Sequence, residues 1–348
     1  MTDQQSRLTH ITNVIKHKMR LSEIKKAARS TRDVFLQRIE SIIQSNHLIV
    51  MAELDDLKIA LKKESDRNRR DLDAAIKYRI DALSVQIKKQ PSYIAESKFV
   101  LFKSALIDLV IPSNDAGLIS YIEKHGPDFI EPGTRDVICR LLKPGDVAVD
   151  VGANCGIHTI AMSRAVGADG MVYAFEPTPD MAAALRYTAT LSGARSVQII
   201  PMVVIDKPKK TKLYSFNHSP ENSIFPTFNV ESQSISSVDV DACSLDSFFP
   251  EGSRVDLVKA DVEGAEPLVF KGMQRVIREN ANIQIVMEMS PSHFQRSGID
   301  LGDFFAQLTE LDFKIYAIDE DTAGLKPVTP SEIEKHETMN VLISRAQF

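Results

Sequence analysis

The chain has no tryptophan, only three cysteines among 348 residues, and neither proline nor glycine before Pro91 and Gly117. Cys139, Cys155 and Cys243 are too few and too scattered for a disulfide framework or a CxxC zinc site, and each reads as a small apolar filler in a reducing compartment. No uninterrupted apolar run approaches the roughly 20 residues that cross a bilayer, and the opening MTDQQSRLTH lacks the apolar core of a secretory signal. A cytoplasmic protein is the expectation. What is present, 43% hydrophobic and 26% charged residues, is the balance of a soluble globular chain able to bury a core.

The net charge of -5 hides a gradient. Residues 1–32 hold eight Lys/Arg against two Asp/Glu, residues 33–90 eleven against ten, and residues 91–348 twenty-three against thirty-five. An acidic main body argues against nucleic acid as a ligand, whereas a basic N-terminus suits acidic lipid or another protein.

Ninety residues without a strong helix breaker read as continuous helix. Leu36, Ile43, Val50 and Leu57 recur at heptad spacing with Ile39 as offset partner. The seam shifts to Leu54 and Leu61 and resumes at Leu72, Ile76, Ile80, Leu83 and Ile87. Asn46, Glu64 and Asn68 interrupt it, as polar residues that fix register do. Such a helix over 33–90 would be roughly 85 Å long, so its apolar stripe needs another helix. Self-association through a coiled coil is the expectation, with a hairpin broken at 65-SDRNRR-70 as the alternative. Leu8, Ile11, Ile15 and Met19 share one face beside Lys16, His17, Lys18 and Arg20, a thin amphipathic surface suited to weak peripheral contact with the inner face of a membrane.

After Pro91 the texture becomes alternating strand and helix, the pattern of an α/β sheet. Residues 1–90 are therefore read as a helical oligomerisation region and 91–348 as the catalytic domain. Strands are expected at 147–151, 171–175, 197–205, 255–260, 283–288, 312–318 and 339–344, with a short helix at 134–142. Residues 206–245, rich in Ser, Asn, Pro and β-branched residues, read as a strand hairpin replacing a crossover helix.

In 147-VAVDVGANCGIHTIAMS-163 an apolar strand runs into a glycine turn and a helix. Positions 154 and 157 hold Asn and Ile, so GxGxxG is absent and the turn reads DxGxxxG, which counts against a nicotinamide-dependent oxidoreductase. Gly152 and Gly156 would let the backbone turn sharply and approach a ligand, and Asn154 would cap the following helix. Glu176 ends the next strand, 172-VYAFEP-177, at the distance where an acidic residue accepts both hydroxyls of a ribose. Thr178 as N-cap, Pro179 in the first helical position and Gly193 as the stop frame the helix after it.

The order 144-PGDVAVDVGANCGIHT-159, 174-AFEP-177, 244-SLDSFF-249, 257-LVKADVEGAEPLVFKG-272 and 284-QIVMEMSP-291 resembles the FkbM-type methyltransferases over roughly residues 100–345. The resemblance implies a Rossmann-like class I methyltransferase domain with a mostly parallel seven-stranded sheet, and S-adenosylmethionine as cofactor. It places Asp150 near the methionine ammonium, wraps Gly152, Ala153, Asn154, Gly156 and Thr159 around the amino-acid moiety, and sets Glu176 on the ribose hydroxyls. Cys155 stands where the family more often has an apolar residue.

The methyl group of this cofactor is already electrophilic, so the protein mainly aligns the acceptor and removes its proton. Open α/β sheets put such groups at the carboxyl ends of strands, which selects Asp261 and Glu263 after one strand and Glu288 with His293 after the next. Asp261 would bind the cofactor or act as base. Glu263 has the alternative of an acid complementing a helix dipole, and Lys259 of facing an acid or solvent. His293 has the alternative of a solvent-facing loop residue, and His158 reads as a packing or cofactor-contact residue. No cluster has metal-site spacing, although two carboxylates and a histidine near one strand end offer weak Mg²⁺ ligation. The expected activity is O-methylation of a sugar hydroxyl in a cell-surface polysaccharide or glycolipid. A polyketide or other natural-product hydroxyl, and a coiled-coil assembly protein with an idle methyltransferase-like domain, are the alternatives.

Overall fold

The apolar stretches 99-FVLFK-103 and 108-DLVIP-112 cover one another by folding back as a hairpin. The computed structural model describes residues 92–93, 98–104, 106–215, 222–226 and 236–348. The expected coiled coil and basic helix of residues 1–90 lie outside the described residues. Strands β1 (Ser92–Tyr93), β2 (Phe99–Lys103) and β3 (Asp108–Pro112) form an antiparallel sheet. Helix α1 (Ala116–His125) follows, capped by the Asp115 carboxylate, which accepts from Leu118 N at 3.0 Å. Helix α2 (Pro132–Leu141) is the one expected at 134–142; it starts two residues earlier because Pro132 suits a first-turn position.

Strand and helix then alternate through β4 (Val147–Val151), α3 (Ile157–Val166), β5 (Met171–Phe175), α4 (Pro179–Leu191) and β6 (Val197–Ile200). The strand expected over 197–205 breaks at Pro201, which has no N–H for a ladder, and its remainder is β7 (Val203–Val204). β8 (Lys209–Ser215) and β9 (Ser236–Cys243) pair antiparallel from Lys209↔Ala242 to Ser215↔Ser236, the hairpin expected in 206–245, and β7 joins β9 to make a second small sheet. Next come α5 (Leu245–Phe248), β10 (Leu257–Ala260), α6 (Glu266–Lys271), α7 (Gln274–Glu279), β11 (Gln284–Met289), α8 (Pro291–Ser297) and α9 (Leu301–Glu310). β12 (Lys314–Ile318), β13 (Leu325–Pro327), α10 (Pro330–Ile333) and β14 (Met339–Ser344) complete the chain.

The main sheet has the order β13-β12-β14-β11-β10-β4-β5-β6. It has eight strands rather than the seven expected, because β13 returns on β12 as a three-residue edge, too short to leave a periodic signal. β6, β5, β4, β10 and β11 run parallel, and β14 enters antiparallel between β11 and β12. Central strands covered on both faces must be apolar throughout, and β10 is fully buried, LVKA, with one lysine in it.

Register assigns the two faces. Ala148, Leu257, Val286 and Leu342 share one, covered by Val137 and Ile138 of α2 and Met162 and Val166 of α3. Val149, Val258, Ile285 and Ile343 share the other, covered by Val269 and Phe270 of α6, Ile277 of α7 and Phe304 and Leu308 of α9. Fully burying a side chain such as Ile138 or Leu342 is worth roughly 1.5–3 kcal/mol, so these layers fix the sheet firmly enough to hold polar groups at its carboxyl edge. Continuing the register toward that edge gives Asp150 beside Lys259, then Glu288 beside Asn340. The first face thus turns from apolar to ionisable where the strands end.

Candidate active site

The glycine turn after β4 is held by the strand beside it. Gly152 N and Ala153 N both donate to Phe175 O at 3.0 Å. Gly152 has φ 81°, and a Cβ there would stand 1.8 Å from Asp261 O, so only glycine lets the tips of β4 and β10 approach. Gly156, at φ 101°, is required by packing: a Cβ would meet Leu185 Cδ1 at 2.3 Å. At both positions the protein's own chain also leaves no room for a Cβ. Asn154 does not cap α3; it takes a left-handed conformation (φ 49°) and its Oδ1 accepts from Cys155 N at 2.7 Å, leaving Gly156 as an N-cap without a side chain. Asp150 is fully buried, its Oδ2 receiving Thr159 Oγ1 at 2.6 Å.

Glu176 follows β5 and is buried. Its Oε2 accepts from Asn154 N at 2.9 Å and its Oε1 from Thr178 N at 2.7 Å, so it stitches the glycine turn to the start of α4. Burial pushes its carboxyl up against these two bonds. Between this turn and the end of β10 lies a cleft open to solvent, bordered by Asn154, Glu176, Met181, Asp261 and Glu263, with Asn222–Ile224 on its flank.

Asp261 and Glu263 form the opposite wall, and further ionisable groups lie behind it. Lys259 is buried and points inward, its Nζ 2.9 Å from Asp261 Oδ2. Burial would lower its pKa, but Asp261, Asp150 and Glu131 outweigh burial and raise it. Asp261 is itself pushed up by burial while Lys259 pulls it down. Glu263 and Gly264 turn the chain in left-handed conformations (φ 55° and 106°). Burial, with Asp261, Glu288 and Glu266 close by, lifts the Glu263 carboxyl to about 10. Burial and Asp261 lift Glu288 to about 7, opposed by the 2.6 Å bond from Thr338 Oγ1.

The acid of the helix first turn is Glu266 rather than Glu263, because the chain turns before α6 begins. Buried, it accepts from Val262 N at 2.7 Å and Gly264 N at 3.0 Å and faces His293 Nδ1 at 2.9 Å. Burial would raise Glu266, but His293 and these backbone bonds lower it. His293 is not a solvent-facing loop residue; it sits buried in the first turn of α8, where Glu266 and Glu288 raise its pKa over the opposing effect of burial. Glu263, Glu288 and His293 bring donor atoms within 4.8 Å of one another, as do Asp261, Glu266 and Glu288. The strand-end rule named all of these residues except Glu266.

The structure therefore gathers Asp261, Glu263, Glu288 and His293 at one rim and Asp150, Gly152, Ala153, Asn154, Gly156, Thr159 and Glu176 around the adjoining turn. Sequence reasoning missed Glu266 and Glu131. Glu131 precedes α2 and pairs with His158, Oε2 to Nε2 at 2.7 Å, so His158 is more than a packing residue. Both acids stand directly before a proline at a helix start, Glu131-Pro132 and Glu266-Pro267, a pattern that signals a helix N-terminus but not the partner.

This strand order, with one antiparallel strand inserted near an edge, is the Rossmann-like fold of class I methyltransferases. Residues 150–315 match the family model described as the methyltransferase FkbM domain. S-adenosylmethionine is the methyl donor of enzymes with this fold, and the Rossmann-like α/β architecture stands as the sequence led us to expect, with eight strands in place of seven. Solved structures with a similar fold include an O-methyltransferase from Thermotoga maritima (14% identity, 75% of this chain and 87% of that one, TM-score 0.37). An rRNA methylase from Streptococcus thermophilus is similar at 10% identity (62% and 95%, TM-score 0.36). A SAM-dependent methyltransferase from Aquifex aeolicus is similar at 14% (65% and 98%, TM-score 0.36). At these identities and TM-scores the likenesses say nothing about substrate. No curated protein matches the chain. Among the described residues, no helix is long and apolar enough to cross a membrane.

Proposed function

We propose that the protein transfers a methyl group from S-adenosylmethionine to a hydroxyl, with a sugar of a cell-surface polysaccharide or glycolipid as acceptor. The observation that carries this reading is the cleft bounded on one side by Glu176 and the glycine turn and on the other by Asp261 and Glu263. The residues fit a nucleoside with an amino-acid end: Glu176 keeps acceptor capacity beyond its two backbone bonds, and Asp150 Oδ1 is a buried acceptor with no partner among the described residues. When bound, the cofactor supplies a methyl group made electrophilic by its sulfonium.

The remaining task is to take the hydroxyl proton. Glu266 is fixed by two backbone N–H groups and its Oε2 lies 2.9 Å from His293 Nδ1 as an ion pair, and His293 Nε2 is the atom this reading assigns as general base. Carboxyl groups at the rim can hydrogen-bond several hydroxyls, which suits a polyhydroxylated acceptor. His293 would take the proton of the hydroxyl that the cofactor's methyl group is delivered to.

Calorimetric titration of the intact chain with S-adenosylmethionine tests the donor, and mass spectrometry of cell-envelope extracts treated with labelled cofactor tests the acceptor. His293→Asn should bind the cofactor normally while transfer falls by about 10²–10⁴. Absence of cofactor binding by the wild-type chain, or transfer undiminished in His293→Asn, would refute the corresponding half of the proposal.

A further inference from the structure

The peptide between Glu263 and Gly264 is gripped on both of its polar edges. Glu263 takes a left-handed conformation (φ 55°), disfavoured for a residue with a Cβ, and Gly264 follows at φ 106°, so this turn persists only where its surroundings hold it. The Gly264 N–H donates to Glu266 Oε2 at 3.0 Å. The Glu263 carbonyl, which a trans peptide points the other way, accepts from Ser223 Oγ at 2.8 Å. Ser223 lies forty residues earlier, in the segment that joins β8 to β9.

Ser223 is itself fixed. It is buried, and its backbone pairs with Tyr214 in both directions, Tyr214 N to Ser223 O at 2.8 Å and Ser223 N to Tyr214 O at 3.1 Å. Its hydroxyl has one proton, given to Glu263 O, while its oxygen accepts from Phe225 N at 3.3 Å. No proton is left for a substrate, so any effect of this hydroxyl on the reaction runs through Glu263. Asn222, Ser223, Ile224 and Glu263 all border the cleft. The other edge of the peptide leads away from the cleft to His293: Glu266 Oε2, which receives the Gly264 N–H, lies 2.9 Å from His293 Nδ1, and Glu263 and His293 bring donor atoms within 4.8 Å of one another. Turning this one peptide would draw the N–H from Glu266 and swing the Glu263 side chain at the same time.

We infer that Ser223 is a positioning residue for methyl transfer: its hydroxyl locks the Glu263–Gly264 peptide, so that the cleft wall at Asn222–Ile224, the Glu263 carboxyl and the Glu266–His293 pair are set together. This rests on the assignment of His293 as the base proposed above. It ties the strand hairpin that replaces a crossover helix to the residue that takes the proton.

The test compares Ser223→Ala, which removes the hydroxyl, with Ser223→Thr, which keeps it, in the full chain. The first readout is the NMR titration of His293, its ring signals identified by their loss in His293→Asn. Burial lowers the His293 pKa, Glu266 and Glu288 more than offset this, and Arg296 opposes them. A loosened Glu266 should therefore lower the midpoint, by about half a pH unit or more in Ser223→Ala, with recovery in Ser223→Thr and the other histidines unmoved. The second readout is transfer of labelled methyl to a cell-envelope extract at saturating cofactor. It should fall about tenfold or more in Ser223→Ala and recover in Ser223→Thr, while S-adenosylhomocysteine affinity by calorimetry, which also reports folding, stays within about twofold in both. An unmoved His293 midpoint in Ser223→Ala, or an equal shift in Ser223→Thr, overturns the clamp. A shifted midpoint with undiminished transfer overturns its part in the reaction. If the wild-type chain transfers no methyl group, the function proposed above fails, and the His293 titration still decides whether Ser223 sets the pair.

Discussion

Replacing Glu131 by Gln should destabilise the domain in a way that disappears in acid. Burial alone would raise this carboxyl, but His158, Lys259 and Asn340 outweigh it and bring the pKa from 4.5 to about 2. A carboxyl with a depressed folded-state pKa contributes stability that is fully present above its unfolded value and is lost as pH falls through the folded one. At 1.36 kcal/mol per pH unit, the span from 4.5 to about 2 corresponds to about 3 kcal/mol at neutral pH. The side chain is 28% exposed, so little of this is removed by solvent screening. The assay is urea denaturation of wild type and Glu131→Gln at pH 7, 4.5, 3.5 and 2.5. The stability difference should be about 3 kcal/mol at pH 7, begin to shrink below pH 4.5 and approach zero near pH 2. Taking the difference between the two proteins cancels the other carboxylates that titrate in the same range. A difference that stays constant from pH 7 to pH 2.5 would mean that Glu131 acts through shape or backbone strain, and the electrostatic account of its pairing with His158 would be wrong.

Glu288 should behave in the opposite sense. Its folded pKa of about 7 lies above the model-peptide range, so ionising it costs the folded state, and that cost grows as pH rises from about 4.5 to 7. Glu288→Gln should therefore stabilise the protein at pH 8 by about 1–2 kcal/mol after loss of the Thr338 bond, and change little at pH 4; a lower melting temperature at pH 8 would contradict this. Gly156→Ala should cost about 3 kcal/mol, from a left-handed φ of 101° plus a Cβ 2.3 Å from Leu185 Cδ1, whereas Gly145→Ala, at φ 87° with open space around it, should cost about 1–2. Equal melting temperatures for these two variants would show that α3 and α4 are not packed as closely as described.

How much of this was legible in the chain depends on the range over which each signal acts. Strands β4, β5 and β14 begin and end where apolar runs meet turn residues, and the glycine turn and Glu176 announce themselves within a single strand–turn–helix unit. Such features are set by neighbours a few residues away. Asp261 and Glu263 followed from one topological rule, that strand ends of an open sheet carry the chemistry. The errors were local as well: Asn154 looked like a helix cap because its type suits one, but the turn needed a left-handed residue there and Gly156 took the cap.

Partnership was what the sequence withheld. Glu131 and Glu266 were ordinary acids before a proline until α3 and α8 brought His158 and His293 against them, at 2.7 and 2.9 Å. In both cases a carboxylate already tied to other N–H groups meets one ring nitrogen, so the direction of the imidazole is fixed by an element distant in the chain. The two pairs differ in what they leave open. Glu266 faces Nδ1 of His293, which also lies 3.8 Å from Glu288 Oε2, and Nε2 is left for the acceptor's proton. Glu131 takes Nε2 of His158, leaving Nδ1 within the core beside the turn that holds Asp150. Because the paired nitrogens are opposite, the histidines cannot substitute for one another: loss of His158 should act on stability, as loss of Glu131 does, and loss of His293 on transfer at saturating cofactor. A His158 variant as stable as the wild type, or a His293 variant with undiminished transfer, would erase the division of labour drawn from their geometry.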